Sequence, residues 1–251
     1  MSMLPGPPAD TGGPSGLTYA GILVRLAAPA VERPQVLDAL QQLRFTGWLG
    51  PEEQGWVVAV ASDGTGSVAA GRRGVLEVAA ELAEQFDLTL VAVRVANDRQ
   101  LVLSVWADGE EVGRYVSDPS YGMRDETVMS DPLGDEHAEE FAAALGRPEA
   151  AEELGELLSE ELGEDVIESE RLSGVLRLLG LPDWLVAASS LPRHVHGGPP
   201  SGAFTRLGAG RPGLAGRIAG RAVRVVRTRR GPPPVVVDPP RADPRAEPWL
   251  W

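Results

Sequence analysis

Five short apolar runs, two amphipathic stretches between them, and the turn signals that close them limit this chain to an α+β arrangement. The runs are Thr18–Leu26, Gly55–Ala61, Leu88–Val95, Leu101–Trp106 and Val112–Val116, each of strand length and rich in Val, Ile and Leu. Between the first two, Glu32–Leu43 places Val36, Leu37, Leu40 and Leu43 at helical spacing. Pro34 falls in the first turn, where its missing N–H is harmless. Between the second and third, Arg73–Phe86 carries Val75, Leu76, Ala79, Leu82, Ala83 and Phe86 along one face. Asn97-Asp98 reads as a turn. Asp108-Gly109 is a two-residue hairpin signal, so Val112–Val116 is predicted to pair with Leu101–Trp106. The expected order is β-α-β-α-β-β-β: a five-stranded mixed or antiparallel sheet with both helices on one face.

The second half reads as helical. After a polar loop over 118–134, three short helices are predicted at Asp135–Leu145, Glu149–Leu162 and Glu168–Leu179. Gly146, Gly163 and Gly180 stand where helix-ending glycines belong, Pro148 at a helix start and Pro182 just past a stop. The chain is thus divided into a disordered leader over 1–16, a single domain over 17–191 and a flexible Arg/Pro/Gly-rich tail over 192–251. Within the domain, the sheet part spans 17–117 and the helical part 135–187.

Composition removes several chemistries. There is no cysteine, hence no disulfide, thiolate ligand or thiol nucleophile. Lysine is also absent, so all 23 basic residues are arginine, and no lysine serves as Schiff base or phosphate-loop cation. Together with the abundant Ala, Gly and Pro, this reads as a GC-rich bacterial genome. The leader shows neither a basic start nor an apolar run, and no stretch has the 18 or more apolar residues of a membrane span, so the expected location is the cytoplasm.

Charge is sorted along the chain. Residues 1–187 hold 12 Arg and 33 acids, and residues 188–251 hold 11 Arg and three acids. An acidic body repels phosphate backbones, so specific nucleic-acid binding is not expected. Asp135–Glu170 alone holds 14 acids against Arg147. Glu149, Glu152, Glu153 and Glu156 recur with Glu160 on one helical face, while Leu154, Leu157, Leu158 and Leu162 line another. Phe204–Arg230 has eight Arg and no acid. Drawn as a helix, it puts Arg217, Arg221 and Arg224 on one side, a form suited to an acidic groove or an anionic membrane surface. The chain ends in Pro-rich sequence and Trp249-Leu250-Trp251, with Trp249 and Trp251 as candidate apolar anchors.

Catalytic and metal motifs are weak throughout. Only His137, His194 and His196 exist, and no Gly-x-Ser-x-Gly elbow occurs. Asp118, Asp125, Glu126, Asp131, Asp135, Glu136 and His137 gather in and around the polar loop without a repeating ligand spacing. Asp135 and Glu136 read as first-turn helix acids. The Gly-rich loop Asp63–Gly74 lies between a strand and a helix, where backbone N–H groups can hold phosphate. Gly64, Gly66, Arg72, Arg73 and Gly74 are its candidate ligand-binding residues, although the closing Gly-Lys-Ser/Thr of a nucleotide loop is missing. Arg72-Arg73-Gly74-Val75 faintly echoes the pyrophosphate stretch of acetyltransferases.

Several landmarks fall in a familiar order: Gly55-Trp56-Val57-Val58, Ala79-Ala80-Glu81-Leu82, Val91–Asp98, Asp108–Tyr115, Ser117-Asp118-Pro119-Ser120-Tyr121 and Leu178-Leu179-Gly180-Leu181-Pro182. Over roughly 47–191 this order resembles an uncharacterised bacterial α/β family. Where that pattern carries a His-Asp-Ser-Asp-like stretch, this chain reads Ala96-Asn97-Asp98-Arg99. Where it carries an Asp-Tyr-Phe-like stretch, this chain reads Ser120-Tyr121-Gly122. The resemblance implies one continuous domain and no particular activity.

The sequence therefore points to a non-enzymatic protein-interaction module. Its acidic helical face would meet a protein partner, or its own basic tail would meet the acidic domain. No catalytic residue, metal ligand or cofactor is predicted. The rival reading is an enzyme or ligand-binding protein with a phosphate- or acyl-CoA-type site at loop 63–74, in a cleft where Asp63, Arg72, Arg73, Asp118 and Tyr121 would act.

Overall fold

A computed structural model describes residues 16–27, 31–64, 66–122, 131–160, 167–191, 195 and 197–208. It contains strands β1 (Tyr19–Arg25), β2 (Gly47–Glu53), β3 (Trp56–Ala61), β4 (Leu90–Ala96), β5 (Gln100–Ala107), β6 (Glu110–Val116) and β7 (Thr205–Leu207). The helices are α1 (Arg33–Gln42), α2 (Val75–Phe86), α3 (Ala138–Ala144), α4 (Ala151–Ser159) and α5 (Glu168–Leu178), followed by a 3-10 segment, Asp183–Ser190. All seven strands form one sheet in the order β6-β5-β4-β1-β3-β2-β7, every neighbouring pair antiparallel.

The sheet is covered on both faces. Alternate residues of each strand point to opposite sides. Tyr19, Leu23, Val58, Val60, Val93, Leu103 and Tyr115 pack with Phe141, Leu154, Leu158, Leu172, Val175 and Leu185, from the later helices and the 3-10 segment. Ala20, Ile22, Val24, Val57, Ala59, Leu90, Ala92 and Trp106 pack with Val36 and Leu40 of α1 and with Val75, Val78 and Leu82 of α2. The first two helices thus share one face, as expected from the order of elements, and α3, α4 and α5 close the other. Burial on both sides explains why β1 and β3 read as unbroken apolar runs. The Asp108-Gly109 turn takes positive φ at both residues, 51° and 80°, and joins β5 to β6 as expected, with a register shift between Val105 and Trp106.

Two strands correct the five-strand expectation. β2 contains Pro51 and glycines 47 and 50, and its pairing with β3 shifts between Leu49 and Glu52, so no period-2 pattern marks it. It pairs with β3 across a tight turn at Gln54-Gly55. β7 lies within the segment read as tail. It pairs Leu49, Trp48 and Gly47 with Thr205, Arg206 and Leu207 and extends the ordered sheet to residue 207. Three residues are too few to carry a periodic signal. Its position is fixed from outside: Arg33 donates to the Gly50 carbonyl at 2.8 Å and to Thr205 Oγ1 at 2.7 Å, and Phe204 meets the Trp184 ring edge-on at 5.4 Å.

Comparing two truncated chains tests this role. Ending the chain at Pro199 removes the buried Leu207 and the Phe204–Trp184 contact, whereas ending it at Gly208 keeps both. The shorter chain is expected to unfold at lower urea concentration, with about 2–4 kcal/mol less stability. Equal midpoints would show that β7 contributes nothing.

Candidate functional site

The Gly-rich loop runs from the end of β3 to the start of α2. Asp63 Oδ1 accepts the Gly66 N–H at 3.1 Å, and the Arg73 carbonyl accepts the N–H groups of Val68 and Ala69 at 2.8 and 3.2 Å. These bonds fold the segment back on itself. Gly71 and Arg72 both take left-handed backbone, φ 75° and 62°, a conformation that disfavours arginine. Beneath the loop lies a cavity of about 340 Å³ whose wall includes Gly64, Gly66, Arg72, Gly74, Glu77 and Arg94. Four of the five loop residues nominated by sequence therefore meet there. Arg73 does not; its guanidinium is paired with Glu81. Arg94 was missed as a site residue. Its only signal is a charge inside the otherwise apolar run Val91–Val95.

Asp63, Asp118 and Tyr121 do not line this cavity. Asp118 Oδ1 accepts from the Ser120 N–H and hydroxyl at 2.9 and 2.6 Å, and Tyr121 accepts from Asn97 Nδ2 at 2.7 Å. A relay nonetheless joins the two loops: Arg94 Nη2 donates to Gln100 Oε1 at 2.9 Å, and Gln100 Nε2 donates to the Asp118 carbonyl at 2.6 Å. His137 packs its ring against Phe141 at 5.9 Å, where Gly113 leaves room for it. Among the described residues no three His, Asp or Glu side chains gather as metal ligands, and no helix is long and apolar enough to cross a membrane.

A second polar cluster is buried where α5 meets the sheet. Tyr19 donates to Ser169 Oγ at 3.0 Å, and Ser169 donates to Asp98. Arg171 reaches the carbonyls of Leu157 at 2.8 Å, Leu158 at 3.3 Å and Glu160 at 2.9 Å, at the C-terminal end of α4. Tyr115 also donates to the Leu158 carbonyl, at 3.0 Å. The guanidinium thus supplies donors that the last turn of α4 cannot find within its own helix. Its counter-ion is Glu168, whose side chain is 0% exposed and lies 3.3 Å from Arg171 Nε. Burial raises the Glu168 carboxyl from its ordinary 4.5 to about 7, against the pull of Arg171. Burial likewise pushes the Tyr19 and Tyr115 hydroxyls well above the usual phenol range. The sequence reading placed Glu168 only as a helix start.

The acidic face is divided by the fold. Glu149 pairs with Arg147 at 2.7 Å, and Glu152 is exposed beside it on α4. Glu153, Glu156 and Glu160 border a shallow groove of about 520 Å³ between α4 and α5. Leu157, Gly174 and Leu178 form its floor and Arg177 the far rim. Arg177 is held on its own helix by Ser173, at 3.0 Å from both carbonyl and hydroxyl oxygens. Among the described residues the carboxylates of Glu153, Glu156 and Glu160 have no hydrogen-bond or ion-pair partner. Arg217, Arg221, Arg224, Trp249 and Trp251 lie outside the described residues, as do the leader to residue 15 and the turn at Gly163.

Comparison with known proteins adds no relative: no protein-family model, no curated protein and no solved structure matches this chain.

The raised carboxyl of Glu168 sets a sign for pH dependence. Between about 4.5 and about 7 the folded protein keeps a proton that the unfolded chain has released. The stability tied to this group is fully present below 4.5 and is lost as pH rises through 7. Urea midpoints are expected to fall between these limits, and Glu168→Gln, which cannot ionise, should flatten that fall. An unchanged slope in the variant would assign the dependence to other groups.

Proposed function

We propose that this protein is a non-enzymatic interaction module whose α4–α5 groove receives an arginine-bearing, partly apolar segment of a partner protein. The observation that carries this reading is the groove's composition. Three carboxylates, unpaired among the described residues, stand around an apolar floor of Leu157 and Leu178, opened by the missing side chain of Gly174. Guanidinium groups of the partner would meet Glu153, Glu156 and Glu160, and an apolar side chain between them would rest on the two leucines. Charge would govern encounter and apolar contact would govern residence. Arginine suits the rim better than lysine because its planar fork bonds a carboxylate through two parallel N–H groups. Glu149 and Glu152 widen the negative field without bordering the groove. The Arg-rich run around Arg217, Arg221 and Arg224 and the end at Trp249 and Trp251 offer a second contact on the partner, a proposal that rests on composition.

The test is titration of the full chain with a short synthetic peptide of alternating Arg and Leu, followed by methyl NMR. The Leu157 and Leu178 methyls should shift saturably, and the effect should weaken with added salt. Replacing Glu153, Glu156 and Glu160 together by Gln should weaken binding between about 3-fold and about 100-fold, since exposed ion pairs contribute modestly each. Undiminished binding to this variant, or shifts confined to other methyls, would remove the groove from the function.

A further inference from the structure

The structure assigns a phosphoryl-binding site to the cavity beneath the Gly-rich loop, built from Arg72, Arg94 and the first turn of α2. The inference is independent of the α4–α5 groove, which lies elsewhere in the fold.

The first argument is the pair of guanidinium groups. Arg72 is exposed at the cavity and has no hydrogen bond or ion pair among the described residues. Arg94, on β4, also lines the cavity, with one of its nitrogens committed to Gln100. Two guanidinium groups on one cavity wall offer positive charge and N–H donors to an oxyanion. Arginine matches phosphoryl oxygens through paired N–H groups.

The second argument is the backbone. Val75, Leu76 and Glu77 are the first three residues of α2 and all lie on the cavity wall. Their N–H groups begin the helix and have no carbonyl to serve within it. The capping position is Gly74, which has no side chain to accept from them, and no side-chain cap is present. The 12-residue helix adds its positive end to the charge of the two arginines. Glycine is required at Gly64, where a Cβ would stand 2.6 Å from the Tyr19 nitrogen, while at Gly74 a Cβ would meet only the movable end of the Glu77 side chain. The Gly66 N–H is not a donor to the site, because Asp63 already takes it.

Glu77 is the one acid on the wall, and it sharpens the inference. Its carboxylate is folded toward Gly74, at the end of the helix where an oxyanion would sit. It would compete with an oxyanion for this position, so removing its charge should tighten the site.

The experiment titrates the full chain with inorganic phosphate and, separately, with phenyl phosphate at constant ionic strength, read by backbone amide NMR. A phosphoryl site predicts saturable shifts of the Val75, Leu76 and Glu77 amides. Arg72→Ala should weaken the response at least about 10-fold, as for loss of one charge-assisted contact. Glu77→Gln should strengthen it. Arg72 and Glu77 are exposed, so both variants are expected to fold, and amide spectra verify this directly. Tighter binding of phenyl phosphate than of phosphate identifies a phosphate ester as the ligand, and the reverse order identifies the free ion. Absence of saturable shifts at the α2 amides, or the same response in wild type, Arg72→Ala and Glu77→Gln, would overturn the assignment.

Discussion

Burial of the sheet on both faces is the constraint from which the rest of this structure follows. β1 lies between β3 and β4, and from Tyr19 to Val24 its residues are buried. With helices on either side, the central strands admit little besides Val, Ala, Leu and Ile. Polar chemistry is displaced to three places: the strand ends, the helix termini and the outer faces of the helices. Apart from Arg94 and Ser104, which lie inside β4 and β5, the polar features outside the helical layer occupy them. The Gly-rich loop follows the end of β3, the Asn97–Asp98 turn follows β4, and the carboxylates of α4 point away from the sheet.

The exception is the charge pair of Glu168 and Arg171 within the helical layer. Two buried charges lose hydration that their mutual attraction restores only in part. Arg171 gains further acceptors in carbonyls at the end of α4, joined there by Tyr115, while among the described residues its Nε and both Glu168 carboxyl oxygens have no hydrogen-bond partner. One guanidinium therefore ties α5, the end of α4 and β6 together. The groove between α4 and α5 has its geometry set from beneath by this residue, while its charge comes from the exposed glutamates at its border.

How much of this was legible in sequence depended on whether a residue's setting is local. β1, β3, β4, β5 and β6 are long enough to show their apolar runs, and the Asp108-Gly109 turn fixes a pairing by itself. β2 hid behind Pro51 and two glycines. β7 was invisible because its residues are placed by Arg33 and Trp184, far away in the chain. The same rule holds for the sites. Gly64, Gly66, Arg72 and Gly74 lie within one loop and were found together. Arg94 joins them only through the fold, from the next strand. Glu153 and Glu156 were read as part of a continuous acidic face with Glu149 and Glu152. Only the approach of α5, with Gly174 opposite Leu157, singles them out.

The short seventh strand has a consequence for how copies of this molecule coexist. Without it, β2 would present seven residues of open backbone, an invitation for a neighbouring chain to add its own strand. β7 occupies the Gly47–Leu49 stretch and is itself only three residues long, so it passes on little of that opportunity. At the other rim, among the described residues, β6 is met by one bridge between Val116 and Leu133, and it carries Glu110, Glu111 and Arg114. Both margins of the sheet are thereby finished with brief, charged or pre-occupied backbone, features that disfavour the addition of a strand from a second chain.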